Sequence, residues 1–498
     1  MSDAAGAGRS DDPARLVFPA LRWSSSRGFD HEATRIDAAV AAGVGGFCLF
    51  GGTIDDAAAL IARLRSLSAG PLLFASDMER GAGQQLAGAT ELPPAGALGS
   101  LDDTTVTRQA AAMTARQARA VGIDWILGPV ADVALEPCNP IVGTRAFGSH
   151  ARQVARHVAA WVEGCRSEGV LCCAKHFPGH GRTTGDSHVT LPRVRVSEED
   201  LEVDLLPFRA AVAAGCDALM TAHVIYDAID AGQPATLSRP VVTGVAREHL
   251  GFGGIIVTDA LNMAGAKDAA GGEGVAAVRA INAGCDALLY PDDALGVVQA
   301  LHAAAADPAF ARRCSMAAAR LAAASAGCRP NRPHGAPVDV GVPADAGTWA
   351  DDAVWADDIA SRTLVVCRGV PAVGTACRLA IVDDDVGGPH PPPSRAAFAD
   401  ALRAAGVVVH EGSAGSTAPL VAAVFSDVRA WKGTAGLRPD ALRQVMRLMD
   451  DDPDVVIVLF GHPRLAHTLP GRHILCAWGG DAIMQRASAG GLTRLITP

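Results

Sequence analysis

The stretch KHFPGHGRTTGDSHVTLP, residues 175–192, concentrates Lys175, His176, His180, Asp186 and His188 in one short segment. Pro178 and the glycines at 179, 181 and 185 break any helical or strand period, so the segment from Lys175 reads as a strand end followed by a loop. Glycines give such a loop turns with positive φ and the freedom to move over a pocket. Asp186 and His188 are two residues apart, so their side chains meet only if the backbone bends. Paired, the carboxylate would fix the imidazole tautomer and raise its basicity, which makes His188 a candidate general acid/base. A solvated histidine beside an unrelated aspartate fits the same spacing. His176, His180 and His188 could also offer nitrogens to a metal, but Lys175 repels a cation, and no metal is expected.

A second carboxylate stands out in GFGGIIVTDALNM, where Asp259 follows four apolar residues. A partly desolvated carboxylate there suits covalent attack on an electrophilic carbon. Capping a helix N-terminus is the alternative use. Asp77 could cap a turn or accept hydrogen bonds from substrate hydroxyls. Arg145, in NPIVGTRAFGSH, and Lys175 read by themselves as ordinary surface charges.

The elements that must position these groups repeat one phrase between residues 35 and 290. An alanine-rich helical pattern leads to a glycine and then a short buried strand, as in DAAVAAGVGGFCLFGG, AAVAAGCDALMTAHV and RAINAGCDALLYP. Glycine after a helical run is a C-cap signal, and continuous apolar runs suit strands buried on both faces. Helix–strand alternation implies parallel strands with right-handed crossovers. Seven such strands in under 300 residues predict a TIM-type (β/α)8 barrel. The polar residues Asp77, Glu79, Asp132, Lys175, His176, His223 and Asp259 each fall just after a strand. A barrel gathers those strand ends on one face. Residues 1–328 are therefore assigned to the barrel and 329–362, opening on RPNRPHGAPVDVGVPADAGTW, to a linker. Residues 363–498 form a second α/β sandwich domain with a mostly parallel sheet.

The chain has 498 residues, 49% of them hydrophobic, and a net charge of −10. The charge is scattered and acidic, so it carries no footprint for nucleic acid and no basic membrane-binding helix. The N-terminus lacks the apolar run of a signal peptide, and no apolar stretch approaches the length of a membrane span. The twelve cysteines include no C-x-x-C pair and read as buried reduced thiols. A cytoplasmic protein is expected. Its oligomeric state stays open.

Taken together, SDMERGAGQQL, GPVADV with NPIVGTRAFG, AKHFPGHGRTTGDSHVTLP, LMTAHVIYDAID and GFGGIIVTDALNM resemble glycoside hydrolase family 3, in its β-N-acetylglucosaminidase branch. The resemblance is strong over about 20–300 and extends less specifically to FGHPRLAHTLPGRHILCAWGGDAIMQRA. It implies that Asp259 is the nucleophile and that His188, oriented by Asp186, is the acid/base. It further implies that Asp77, Arg145, Lys175 and His176 hold sugar hydroxyls or the acetamido group, with His223 as a pocket wall. The implied activity is that of a retaining exo-β-N-acetylglucosaminidase acting on peptidoglycan or chitin-type fragments, with no organic cofactor. A β-glucosidase, a GlcNAc-glycoside phosphorylase and a non-catalytic sugar-binding protein are the alternatives. One departure from the branch is visible. Ala82 and Gln85 stand where it carries arginines, and Gln85 can hydrogen-bond substrate but brings no charge.

Overall fold

The computed structural model describes residues 11–327, 349–369, 374–387, 392–412 and 416–494. They form two compact units. The first comprises Met1–Thr90, Thr104–Val133 and Ser149–Thr348; the second comprises Glu91–Asp103, Ala134–Gly148 and Trp349–Pro498.

In the first unit, Ala20–Arg22, Gly46–Phe50, Leu73–Ser76, Trp125–Ile126, Leu171–Phe177, Ala218–Thr221 and Ile255–Thr258 make one continuous sheet in that order. Every pairing in it is parallel. A bridge from Val257 to Ala287 hands the pairing on to Leu288–Leu289, which pairs in parallel with Val17–Phe18. Val17–Phe18 and Ala20–Arg22 are one strand divided at Pro19. Proline has no N–H for a ladder, and here it falls where the strand changes neighbour. Among the described residues eight parallel strands thus close into the expected (β/α)8 barrel.

The strands are buried nearly throughout, which is why they read as unbroken apolar runs. Phe18 meets Trp125 edge-on at 6.0 Å, and Phe47 stacks on Phe74 at 6.2 Å. Crossover helices start where side-chain oxygens take up their first free amides. Thr53 caps Ile54–Leu67 and Ser197 caps Glu198–Ala213. Helix Ala151–Ser167 turns Val154, Val158, Trp161, Val162 and Cys165 inward.

The second unit is a six-stranded sheet in the order Val365–Arg368, His473–Cys476, Val456–Gly461, Leu420–Ser426, Ala376–Asp383 and Val408–Glu411. Among the described residues only Val365–Arg368 runs antiparallel to its neighbour. Helices Ala350–Arg362, Ala396–Ala404, Pro439–Asp451 and Ala482–Arg494 accompany it. Its core joins Val424, Ile457, Leu459 and Val445, and Phe425 stacks on Phe460 at 4.4 Å. Two segments from within the barrel's stretch of sequence belong to this unit. The Ile483 amide donates to the Glu91 carboxylate at 3.0 Å, and Gly96 lies so close to the Trp478 ring that a Cβ would sit 3.0 Å from it. Of the expected linker 329–362, residues 329–348 lie outside the described residues and the remainder is almost entirely helix Ala350–Arg362. No described helix is long and apolar enough to cross a membrane.

Candidate active site

The end of strand Leu171–Phe177 is the centre of the site. Lys175 is almost fully buried there, and its ammonium lies 2.6 Å from Asp77 and 2.7 Å from Glu79. Both carboxylates follow strand Leu73–Ser76. The Tyr290 hydroxyl donates to the second Asp77 oxygen at 3.3 Å, from just past the eighth strand. Asp77 remains partly exposed whereas Glu79 is buried. One buried ammonium bridges two carboxylates, and Asp77 is the more accessible of the two. That carboxylate is a suitable acceptor for hydroxyl donors.

His176 follows on the same strand. The segment after Trp125–Ile126 runs alongside: Lys175 N–H donates to the Pro129 carbonyl at 3.0 Å and Ala131 N–H to the Lys175 carbonyl at 2.6 Å. This brings the fully buried Asp132 carboxylate against His176. Asp132 accepts from His176 Nδ1 at 2.7 Å, from the His176 amide at 3.1 Å and from the His180 amide at 2.6 Å. Three donors offset the cost of burying that charge. They also lock the turn by which the chain leaves the strand.

Beyond the turn, Gly179 has φ +135°, and Gly181 passes so near the Val133 carbonyl that a Cβ would collide with it. Of the three loop glycines, one serves an unusual backbone angle and another a close approach. His180 is buried inside the loop. Its Nε2 bonds the Ser187 hydroxyl at 3.0 Å and its Nδ1 the Thr183 hydroxyl at 2.7 Å. Burial lowers its pKa to about 4, so it is a neutral clasp. Both nitrogens of this potential metal ligand are engaged by hydroxyls. The loop returns through Arg193–Val194, which pairs with Ile225–Tyr226.

Between these anchors the backbone bends as the sequence required. His188 Nδ1 lies 2.8 Å from Asp186 Oδ1, and the His188 amide donates to the same oxygen at 2.9 Å. Asp186 is buried; the imidazole is partly exposed.

Asp259 ends strand Ile255–Thr258. Burial pushes its pKa up, but the charges of His176, His223 and His188, with the Ala260 amide, outweigh burial and hold it at about 2. Asp259 Oδ1 accepts from that amide at 2.7 Å. The loop imidazole of His188 is among the groups whose positive charge would lower the Asp259 pKa. His223 is fully buried, with Nε2 on the Ala260 carbonyl at 2.9 Å and Nδ1 on the Thr236 hydroxyl at 2.7 Å. Burial lowers its pKa and the Asp259 charge opposes that shift, so His223 braces the strand end behind Asp259.

Two expected contacts are placed differently. Gln85 accepts from the Gly51 amide at 3.1 Å and donates to the Asp77 carbonyl at 3.0 Å. Both ends of its amide group thereby brace backbone. Arg145 belongs to the second unit, where it donates to the Ile141 carbonyl at 3.1 Å. Asp132, Glu79 and Tyr290 received no role from the sequence, although each sits just past a barrel strand, the signal that marked the others.

A (β/α)8 barrel with these side chains at its strand ends has the build of a glycoside hydrolase. Residues 29–321 match the model of the glycosyl hydrolase family 3 N-terminal domain, and the chain belongs to that family. It is 40% identical over 266 residues to the β-hexosaminidase of Tolumonas auensis, a match covering 52% of this chain and 78% of that one. Over 258 residues it is 36% identical to a β-N-acetylglucosaminidase/β-glucosidase of Cellulomonas fimi, covering 50% of this chain and 46% of that one. Among solved structures, a family 3 β-N-acetylglucosaminidase from Paenibacillus sp. str. FPU-7 superimposes with TM-score 0.83 at 27% identity, covering 98% of this chain and 97% of that one.

Proposed function

We propose that the protein is a retaining exo-β-N-acetylglucosaminidase that releases terminal β-linked GlcNAc from peptidoglycan or chitin-type fragments. The observation that carries this reading is the Asp186–His188 pair at 2.8 Å, on the loop that leaves the strand bearing Lys175 and His176. The names of the relatives above support the sugar. A carboxylate held at about 2 is fully ionised at neutral pH and ready to attack the anomeric carbon. In this reading Asp259 displaces the aglycone and forms a glycosyl–enzyme ester while His188 Nε2 protonates the departing oxygen. Water then gives a proton back to His188, attacks the same carbon and frees Asp259, so two inversions retain configuration. Asp186 holds Nδ1–H and stabilises the imidazolium. Asp77, Lys175 and His176 are assigned to sugar hydroxyls and the acetamido group, while Gln85 supports Asp77 from behind. Residues 1–328 carry the chemistry in this scheme and 363–498 form a companion domain. A cytoplasmic setting belongs to the same reading, supported by the eleven described cysteines, all of them unpaired.

The test is hydrolysis of chromogenic β-GlcNAc and β-glucose glycosides, with and without inorganic phosphate, followed by NMR of the first product. Faster turnover of the GlcNAc glycoside to β-configured free GlcNAc is expected in both buffers. A preference for glucose would move the reading to a β-glucosidase. Sugar 1-phosphate as the main product would move it to a phosphorylase, and sugar binding without turnover would leave a lectin-like protein.

A further inference from the structure

We infer that Cys367 and Cys476 of the second unit are a disulfide-forming pair, a covalent modification site that closes on exposure to a low-molecular-weight disulfide such as oxidised glutathione. Their Sγ atoms are 3.2 Å apart and share a hydrogen bond. That is within about 1 Å of bonded separation. Cys476 lies in the core cluster of the sheet and Cys367 packs against that cluster, so both side chains occupy the same face. Cys367 lies on Val365–Arg368, the strand at the end of the sheet, at the irregularity between Val366 and Arg368 where the register with His473–Cys476 shifts. The backbone there is least constrained by its ladder, and a bulge leaves room for the small approach the bond needs.

Access and acidity divide the work between the two sulfurs. Cys367 is half-buried and Cys476 fully buried. The Cys367 thiol donates to the Cys476 sulfur, and this shared hydrogen bond together with the nearby Arg368 charge outweighs burial and lowers Cys367 to about 7, while its partner is pushed up. Cys367 is therefore the attacking thiolate and Cys476 the resolving thiol. The Cys367 sulfur displaces one thiolate from the small disulfide and forms a mixed disulfide. Cys476 then gives up its proton, attacks the Cys367 sulfur and expels the second thiol. Two protein thiols become one disulfide, and the small disulfide becomes two thiols. A second pair provides an internal contrast. Cys172 and Cys216 lie 3.7 Å apart in the barrel, but both are buried, and the hydrogen bond with Cys216 together with burial raises the Cys172 thiol, so neither meets an oxidant.

The experiment uses the full-length chain carrying Cys138→Ser and Cys328→Ser, which removes the exposed thiol at 138 and the one outside the described residues. After treatment with oxidised glutathione, two thiols counted under denaturing conditions should be lost. Digestion should yield one reducible peptide pair joining 367 to 476, and the added Cys476→Ser should trap a single glutathione on Cys367. An unchanged thiol count, a stable glutathione adduct at Cys367 with Cys476 still reactive, or a link between 172 and 216 would each overturn the inference. The linkage map is read on a protein with both cysteines in place, so it stands even if Cys476→Ser folds poorly.

Discussion

At the level of single residues the site depends on two pairings made in opposite ways. Asp186 serves His188 through a hydrogen bond at fixed geometry, whereas the histidines serve Asp259 through charge. If His188 supplies the proton, His188→Ala should slow substrates with poor leaving groups by about 10²–10⁴-fold and activated aryl glycosides far less. Equal losses on both, measured as kcat for a series of aglycones, would remove the acid role. Asp186→Asn keeps the shape but offers an amide that can favour the wrong tautomer, so kcat should fall with little change in KM. Asp259→Ala should end turnover and leave sugar binding, read by calorimetry, intact. Asp259 stood out in the sequence because it follows a buried strand, and Asp186 with His188 because glycines and a proline force their segment into a loop. Gln85 did not. A glutamine that supports backbone and one that contacts sugar are the same letter, and only its neighbours Gly51 and Asp77 decide between them.

The decisive element is the loop from Phe177 to Arg193, which is tied down at both ends and clasped in the middle. Asp132 fixes its departure, Arg193–Val194 its return, and His180 holds Thr183 and Ser187 together. The clasp gives it a pH dependence with a definite sign. An unfolded histidine titrates near 6.5 and His180 near 4, so between those values the unfolded state binds the extra proton. The neutral clasp contributes its full stability above 6.5, and that contribution is lost as pH falls towards 4. The shift corresponds to roughly 3 kcal/mol. His180→Gln should therefore flatten the acid loss of Tm over that window, with the loop more open to protease at pH 7. A variant with the wild-type acid slope would show that another group sets it. The sequence announced a glycine-rich loop but not the reason for Gly181, because its contact with Val133 lies almost fifty residues away in the chain. The short pairing of Arg193–Val194 with Ile225–Tyr226 was equally hidden, since a two-residue strand has no period to read.

Across the whole molecule the helix–strand rhythm disclosed seven barrel strands and left the eighth unseen. Pro19 in VFPALR reads as a break, yet the strand needs only half its ladder on each side of that residue. Composition also could not show that Glu91–Asp103 and Ala134–Gly148 belong to the second unit, because both are spelled like ordinary barrel loops. Their assignment has a consequence for any attempt to isolate the barrel. Leu98, Ile141, Val142 and Phe147 in these segments are buried, Gly96 lies against Trp478, and Gly143 lies against Val428. A chain ending at Gly327 keeps the segments but removes Trp478, Val428 and the Ile483 amide that holds Glu91. It should bind a hydrophobic dye, associate on size-exclusion chromatography and melt at a lower temperature than the full chain, because a newly exposed apolar patch seeks cover. A truncated protein that stays monomeric, leaves the dye dark and keeps its melting temperature would show that the two segments fold on the barrel alone.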